Sequence, residues 1–348
     1  MGLLKRWFAP AALALATLAG VPAAAAPHTG LEVRLSAAAP VLQGDVDVNV
    51  TVTLTNTTRH AIHVLAWQLP SDEVEGALFR ITGEDGRPVR YEGPIVKRAA
   101  PQARDHVRIE AGATLSYTVE LTAAYDLSRS GRYAIEYASR GGHGAQAATL
   151  RSDPLYLWLE GRSGKGSAPP PSPPAAAGAT VYSNCSASQQ SALVAATGQA
   201  VTYANTAVSY LNGASSATQR YTKWFGSFNS TGWNTAKSHF TAVQSAFTTQ
   251  TLAYDCKCKK PSTYAYVYAN QPYKIYLCGA FWKAPLDGTD SRAGTLIHEM
   301  THFTAVAGTD DWAYGQTAAA NLALSNPANA LDNADSHEYF AENTPFLP

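Results

Sequence analysis

Residues Gly294 to Gly315 read GTLIHEMTHFTAVAGTDDWAYG. His298 and His302 stand four apart on SRAGTLIHEMTHF, a stretch that reads as a helix capped by Asp290 or Ser291. At 3.6 residues per turn the two imidazoles share one face and can grip a single metal ion. Glu299 leans beside that pair and can take a proton from a water activated by the metal. A catalytic zinc site needs a third protein ligand and an open position. AVAGT ends the helix at Gly308, and DDWAYG brings carboxylates back toward it. A third histidine at the metzincin spacing is absent, since Ala305 and Gly308 stand where that pattern has Gly and His. Glu338 and Glu342 are distant alternatives, and Asp311, nine residues past His302, is the nearer solution. Tyr314, three further on, can point into the same cleft. Taken singly, Asp311 reads equally well as a helix cap and Tyr314 as core; taken with the helix motif, the set argues for a site.

The charge pattern adds a substrate preference. From Gly294 to the end there are seven acids (Glu299, Asp310, Asp311, Asp332, Asp335, Glu338, Glu342) and no Lys or Arg. A one-signed segment beside a metal cleft should attract a cationic group. In NADSHEYFAEN, Asp335 and Glu338 are three apart, which puts them on one helical face, and a solvated acidic helix is the plain alternative. His337 between them reads as a structural hydrogen-bond partner. His60 and His63 fall in a strand-like run, face opposite sides at that spacing, and read as surface residues.

The elements that must position these residues divide the 348-residue chain. Lys5 and Arg6, the apolar run Phe8 to Val21 and the small residues Ala23 to Ala26 predict a secretory signal over 1–25, cut after Ala25. The run is shorter than the ~20 residues a spanning helix needs. Residues 30–160 hold alternating runs such as DVDVNVTVTLTN and HVRIEAGATLSYTVEL, broken by turns such as GEDGRP, which predict an antiparallel β-sandwich of immunoglobulin-like kind. Residues 161–179 form a Gly/Ser/Pro linker. Beyond it, SASQQSALVAATGQAVTYANTAVSYLNG and TGWNTAKSHFTAVQSAFTTQ read as helices, TYAYVYANQPYKIYLC as a strand pair, and two or three more helices follow. The sequons NVT and NTT matter only in a eukaryotic host. Hydrophobic content of 46% suits packed cores, and a net charge of zero without a basic stripe argues against nucleic acid.

All four cysteines (Cys185, Cys256, Cys258, Cys278) lie past the linker. In a secreted chain they read as two disulfides, with three pairings open, and their spacing does not fit a zinc ribbon. The sandwich therefore has no thiol to plug a catalytic metal, and could restrain such a site only by covering the cleft or donating another ligand.

His-Glu-x-x-His followed by Gly-Thr-x-Asp-x-x-Tyr-Gly resembles the signature of the aspzincins, the deuterolysin group, and within them the peptidyl-Lys metalloendopeptidases. The likeness extends over 180–348, including RYTKWFGS, YLCGAFWKAP and NADSHEYFAEN. It implies a mainly helical, α+β zincin-like domain holding one zinc on His298, His302 and Asp311. Glu299 would be the general base, Tyr314 an oxyanion donor, and Asp335 with Glu338 a pocket for lysine on the carboxyl side of the cut. It also implies the pairs Cys185–Cys256 and Cys258–Cys278. The expectation is a secreted zinc endopeptidase cutting before lysine in protein or peptide substrates, with no membrane partner once the signal is removed. Its N-terminal domain would be an intramolecular inhibitor or chaperone, shed by self-cleavage between Gly164 and Lys165. The alternatives are a protease of broader specificity, or a secreted binding or adhesion protein carrying a structural zinc.

Overall fold

The computed structural model describes residues 30–71, 74–139, 150–164, 178–213 and 216–348. The expected signal segment and most of the linker, Lys165 included, lie outside the described residues.

The N-terminal region is built of strands. Leu31–Ser36, Asn49–Asn56 and Thr114–Glu120 form an antiparallel sheet. In Asn49–Asn56, Val50, Val52 and Leu54 are fully buried while the intervening threonines are half-buried, as the two-residue period of a strand requires. A second sheet orders Val41–Gln43, Leu155–Glu160, Gly131–Ser139, Phe79–Thr82 and Pro88–Val89, with Leu150–Arg151 paired to its third strand. Val52, Leu54, Ile81, Tyr137 and Leu157, from both sheets, lie in one core cluster. GEDGRP closes the hairpin between Phe79–Thr82 and Pro88–Val89, with Gly83 N donating to Arg87 O at 2.9 Å. Asn56 of the NTT sequon is buried and its amide donates to three carbonyls, those of His60, Ile109 and Glu110. His60 and His63 are both exposed, in keeping with the reading of surface residues.

The C-terminal region is mainly helical. Helix Ala187–Leu211 starts at a reciprocal capping box between Ser186 and Gln189. Ala196, Ala200, Ala204 and Ala207 bury a stripe of small side chains along it, and helix Ser230–Thr249 buries Trp233, Phe240 and Val243 in the same core. Four helices of five residues or more follow the strand pair, one beyond expectation: Arg292–His302, Gln316–Ser325, Pro327–Leu331 and Ala334–Glu342. Pro327, at the first position of its helix with Asn326 as cap, divides what would otherwise read as one segment. The cysteines pair as Cys185–Cys256 and Cys258–Cys278.

One five-stranded sheet joins the two regions. Its order is Thr180–Ser183, Leu252–Asp255, Lys274–Leu277, Thr263–Tyr268 and Pro94–Arg98. The last strand comes from the N-terminal region and pairs antiparallel with Thr263–Tyr268, setting Val96 opposite Tyr266 and Lys97 opposite Ala265.

Candidate active site

Helix Arg292–His302 carries the histidines. Its cap is Ser291, whose hydroxyl accepts from Gly294 N at 2.8 Å. Asp290, the other candidate, instead accepts the Tyr339 hydroxyl at 2.6 Å. Past the helix, Val306, Ala307 and Gly308 N all donate to Phe303 O, and Gly308 takes the left-handed conformation (φ 65°) that lets the chain reverse. Thr309 N then reaches Thr301 O, which brings Asp311 back over the imidazoles. Asp310 is tied by its backbone to Asp332 and Ala334, and the Asn333 side-chain oxygen accepts from Trp312 N and Ala313 N. The loop is therefore fixed to the start of helix Ala334–Glu342.

Three donor atoms converge. His298 Nε2 and His302 Nε2 are 3.1 Å apart, and Asp311 Oδ1 lies 3.2 and 3.4 Å from them. The opposite nitrogens face acceptors: His302 Nδ1 donates to Thr309 O at 2.8 Å, and His298 Nδ1 stands 2.8 Å from Asp335 Oδ1. With those protons placed, both Nε2 atoms present lone pairs to one another and to a carboxylate oxygen. A cation between them would satisfy all three donors, and two imidazoles with one carboxylate suit zinc. Burial works against charge on Asp311, but the His302 and His298 imidazoles outweigh it and hold the carboxyl well below its usual range.

Glu299 is fully buried, and neither of its carboxylate oxygens has a hydrogen bond among the described residues. Burial pushes its pKa up to about 7, against the pull of both imidazoles. Tyr314 Oη lies 2.9 Å from Asp311 Oδ2 and 2.9 Å from Val96 O. A cavity of about 450 Å³ beside the site is lined by His302, Thr309, Asp310 and Ile95 among others.

Asp335 and Glu338 share the inner face of helix Ala334–Glu342, as their spacing predicts, and both are buried. Between them sits the ammonium of Lys97, from the N-terminal region: Nζ donates to Asp335 Oδ1 at 3.2 Å and to Glu338 Oε2. Lys97 is 1% exposed. Burial disfavours its charge, but the Asp335 and Glu338 carboxylates outweigh that and hold its pKa well above the ordinary lysine value. Asp335 Oδ2 also accepts from Gly315 N at 2.6 Å. His298, Asp335 and Glu338 lie close enough to form a second metal-like trio, but its cation is the ammonium.

The remaining candidates are structural. Glu342 accepts from Ser291 N and Oγ and from Asp290 N, away from the three donors. Burial and the Glu338 charge raise its pKa to about 9, so it is neutral near pH 7. His337 is bonded to Asn333 O and His239 and is held neutral by burial, its pKa lowered to about 3. Lys97 is the member of this cluster that sequence reasoning missed. The one available signal was indirect, an acidic segment that lacked any cation of its own.

The family model described as lysine-specific metallo-endopeptidase matches residues 210–342. An extracellular protease of Aeromonas hydrophila is 42% identical over 97% of this chain and 98% of its own length. A peptidyl-Lys metalloendopeptidase of Grifola frondosa is 37% identical over 95% of this chain and 98% of its own. The solved structure of a zinc peptidase from Grifola frondosa is 49% identical and covers 47% of this chain and 100% of its own, with a TM-score of 0.45. Similarity that runs the whole length of related proteases, together with a zinc-shaped donor set, removes the reading of a binding protein with structural metal. This chain belongs to the aspzincin family and is a metalloendopeptidase.

Proposed function

We propose that this protein is a secreted zinc endopeptidase that hydrolyses peptide bonds on the amino side of lysine. The observation that carries the reading is the Lys97 ammonium, buried between Asp335 and Glu338. Two carboxylates against one compact ammonium suit lysine, whereas the planar guanidinium of arginine asks for a forked, wider geometry. The extracellular setting is supported by the secretory pattern at the N-terminus and by the A. hydrophila relative named an extracellular protease. Among the described residues no helix is long and apolar enough to cross a membrane. The N-terminal region, residues 30–160, is read as an immunoglobulin-like propeptide sandwich on the strength of two sheets around one core, and residues 180–348 as the catalytic domain.

His298, His302 and Asp311 would hold the zinc. When bound, zinc lowers the pKa of water toward ~7 and polarises a carbonyl oxygen. Glu299, buried and without a hydrogen bond, takes a proton from the attacking water and returns it to the departing lysyl amine. Tyr314 donates a hydrogen bond from its hydroxyl to the scissile carbonyl oxygen as charge develops there. Asp335 and Glu338 fix the lysine on the carboxyl side of the bond, so the reacting carbonyl is the one Tyr314 reaches.

Profiling the cleavage sites of the zinc-loaded, matured protein on a denatured protein mixture tests this. Cuts before lysine, with arginine much poorer, are expected. Cuts spread over many residue types would favour an aspzincin of broad specificity.

A further inference from the structure

Strand Pro94–Arg98 lies in the cleft as a substrate would. It pairs antiparallel with Thr263–Tyr268, the strand that would otherwise edge the sheet, in the register Pro94 with Tyr268, Ile95 with Val267, Val96 with Tyr266 and Lys97 with Ala265. Its lysine fills the acidic pocket. The carbonyl on the amino side of that lysine, Val96 O, lies 2.9 Å from the Tyr314 hydroxyl. Side chain, backbone and carbonyl thus meet three independent features of the site at once.

The strand is also anchored on both flanks. Arg98 pairs with Glu75 at 2.8 Å and stacks over Trp67, and Glu75 in turn pairs with Lys260 of the C-terminal region. The Trp67 ring meets the Tyr314 ring edge to face at 6.5 Å. On the other side Arg90 donates to the Thr304 hydroxyl. A segment fixed at both ends does not leave the cleft by itself, and an outside lysine must displace Lys97 to occupy the pocket.

We propose that Val96–Lys97 is the enzyme's own first cleavage site, and that until this bond is cut the strand keeps the cleft closed. The inference rests on the lysine-pocket reading above. One water is consumed: the bond between Val96 C and Lys97 N breaks, the water oxygen joins the Val96 carbonyl carbon to give a carboxylate, and both water protons pass to the Lys97 nitrogen, which leaves as an ammonium. No oxidant or reductant is involved. The strand becomes two chain ends, each held by fewer contacts than the whole, and incoming lysyl peptides displace them.

The test uses the full-length precursor. Mass spectrometry of the zinc-loaded protein should find a fragment beginning at Lys97, absent from Glu299→Gln and from Lys97→Met. Cleavage elsewhere with no fragment beginning at Lys97 would overturn the site. Closure is read without catalysis, in Glu299→Gln precursor titrated with a fluorescent lysyl peptide and its norleucyl counterpart. Adding Lys97→Met, which keeps the apolar stem, should tighten lysyl binding by at least about tenfold, because the pocket is no longer self-occupied. Lys97→Ala provides the same comparison should the methionine side chain itself block the pocket. Equal lysyl affinity with and without Lys97, but weaker norleucyl binding, would overturn the closure alone. Equal affinity for both peptides in the Lys97 variants would overturn the lysine pocket, and this inference with it.

Discussion

His298 Nδ1 and Asp335 Oδ1 stand 2.8 Å apart, and the same Asp335 oxygen accepts the Lys97 ammonium at 3.2 Å. One carboxylate therefore orients a metal-facing imidazole and also faces the lysine. Glu338 lies farther from that ring, its Oε2 3.5 Å from His298 Nδ1. Asp335→Asn should weaken zinc binding by ~10–100-fold as well as lysine preference. Glu338→Gln should lose lysine preference while keeping zinc. Zinc titration against a competing chelator, run beside KM for lysyl peptides, separates the two; equal zinc affinity in both variants would contradict this division.

Adjacent aspartates give a sharp contrast at the metal. Asp311 turns its Oδ1 to both Nε2 atoms, whereas Asp310 is tied by its backbone to Asp332 and Ala334. Asp311→Ala should purify without stoichiometric zinc and Asp310→Ala with it, as elemental analysis would show. Full zinc in Asp311→Ala would remove that residue from the ligand set.

Glu299→Gln keeps the side chain's shape but cannot take a proton. It should bind zinc normally and lose ~10²–10⁴-fold in kcat. Tyr314→Phe removes one donor to the developing oxyanion and should cost ~10²–10³-fold in kcat with KM little changed. Single-turnover assays on a lysyl peptide measure both, and an unchanged rate in either variant refutes the role assigned to it.

Glu342 sets a pH dependence of stability. Its folded pKa, about 9, lies above the usual carboxylate value because of burial and the Glu338 charge. The folded state therefore holds a proton that the unfolded chain releases, and stability falls as pH rises from ~4.5 toward ~9. Glu342→Gln should flatten that slope in denaturant titrations across the window. A slope identical to the wild type would show that Glu342 does not supply it.

Gly294 stands against the same group. A Cβ there would meet Glu342 Oε1 at 2.0 Å and Glu338 Oε1 at 3.0 Å, both on buried side chains with little room to move. Gly294→Ala should therefore destabilise the fold by roughly 1–3 kcal/mol and raise KM for lysyl substrates. Retention of both wild-type melting temperature and KM would mean the acidic helix shifts freely.

Helix Arg292–His302 is legible in the sequence because its four-residue spacing and serine cap are local features. Asp335 and Glu338 are legible for the same reason, through the period of helix Ala334–Glu342. PIVKR is not legible. Its lysine meets carboxylates 238 and 241 residues away, and nothing within five residues says that the strand leaves its own sheets for another. The acidic segment points to a missing cation, and chain flexibility points to Lys165, which lies outside the described residues. The cysteine pairing shows the same limit: spacing left three choices open, and the tertiary fold joins Cys185 to Cys256 and Cys258 to Cys278.

Were Pro94–Arg98 to depart as proposed, Thr263–Tyr268 would be a bare strand edge, and its backbone groups would need a partner whatever side chains that partner carries. On the proposed lysine specificity, recognition along such an edge would depend on sequence chiefly at the acidic pocket, so neighbouring residues should scarcely alter which lysines are cut. It is demanding about shape instead. A lysine inside a helix, or in the middle of an intact sheet, has already spent its main-chain hydrogen bonds and must melt locally before it can be threaded along this edge. In native proteins the enzyme should therefore sort lysines by how readily the chain around them opens, which makes its digestion pattern a map of local unfolding.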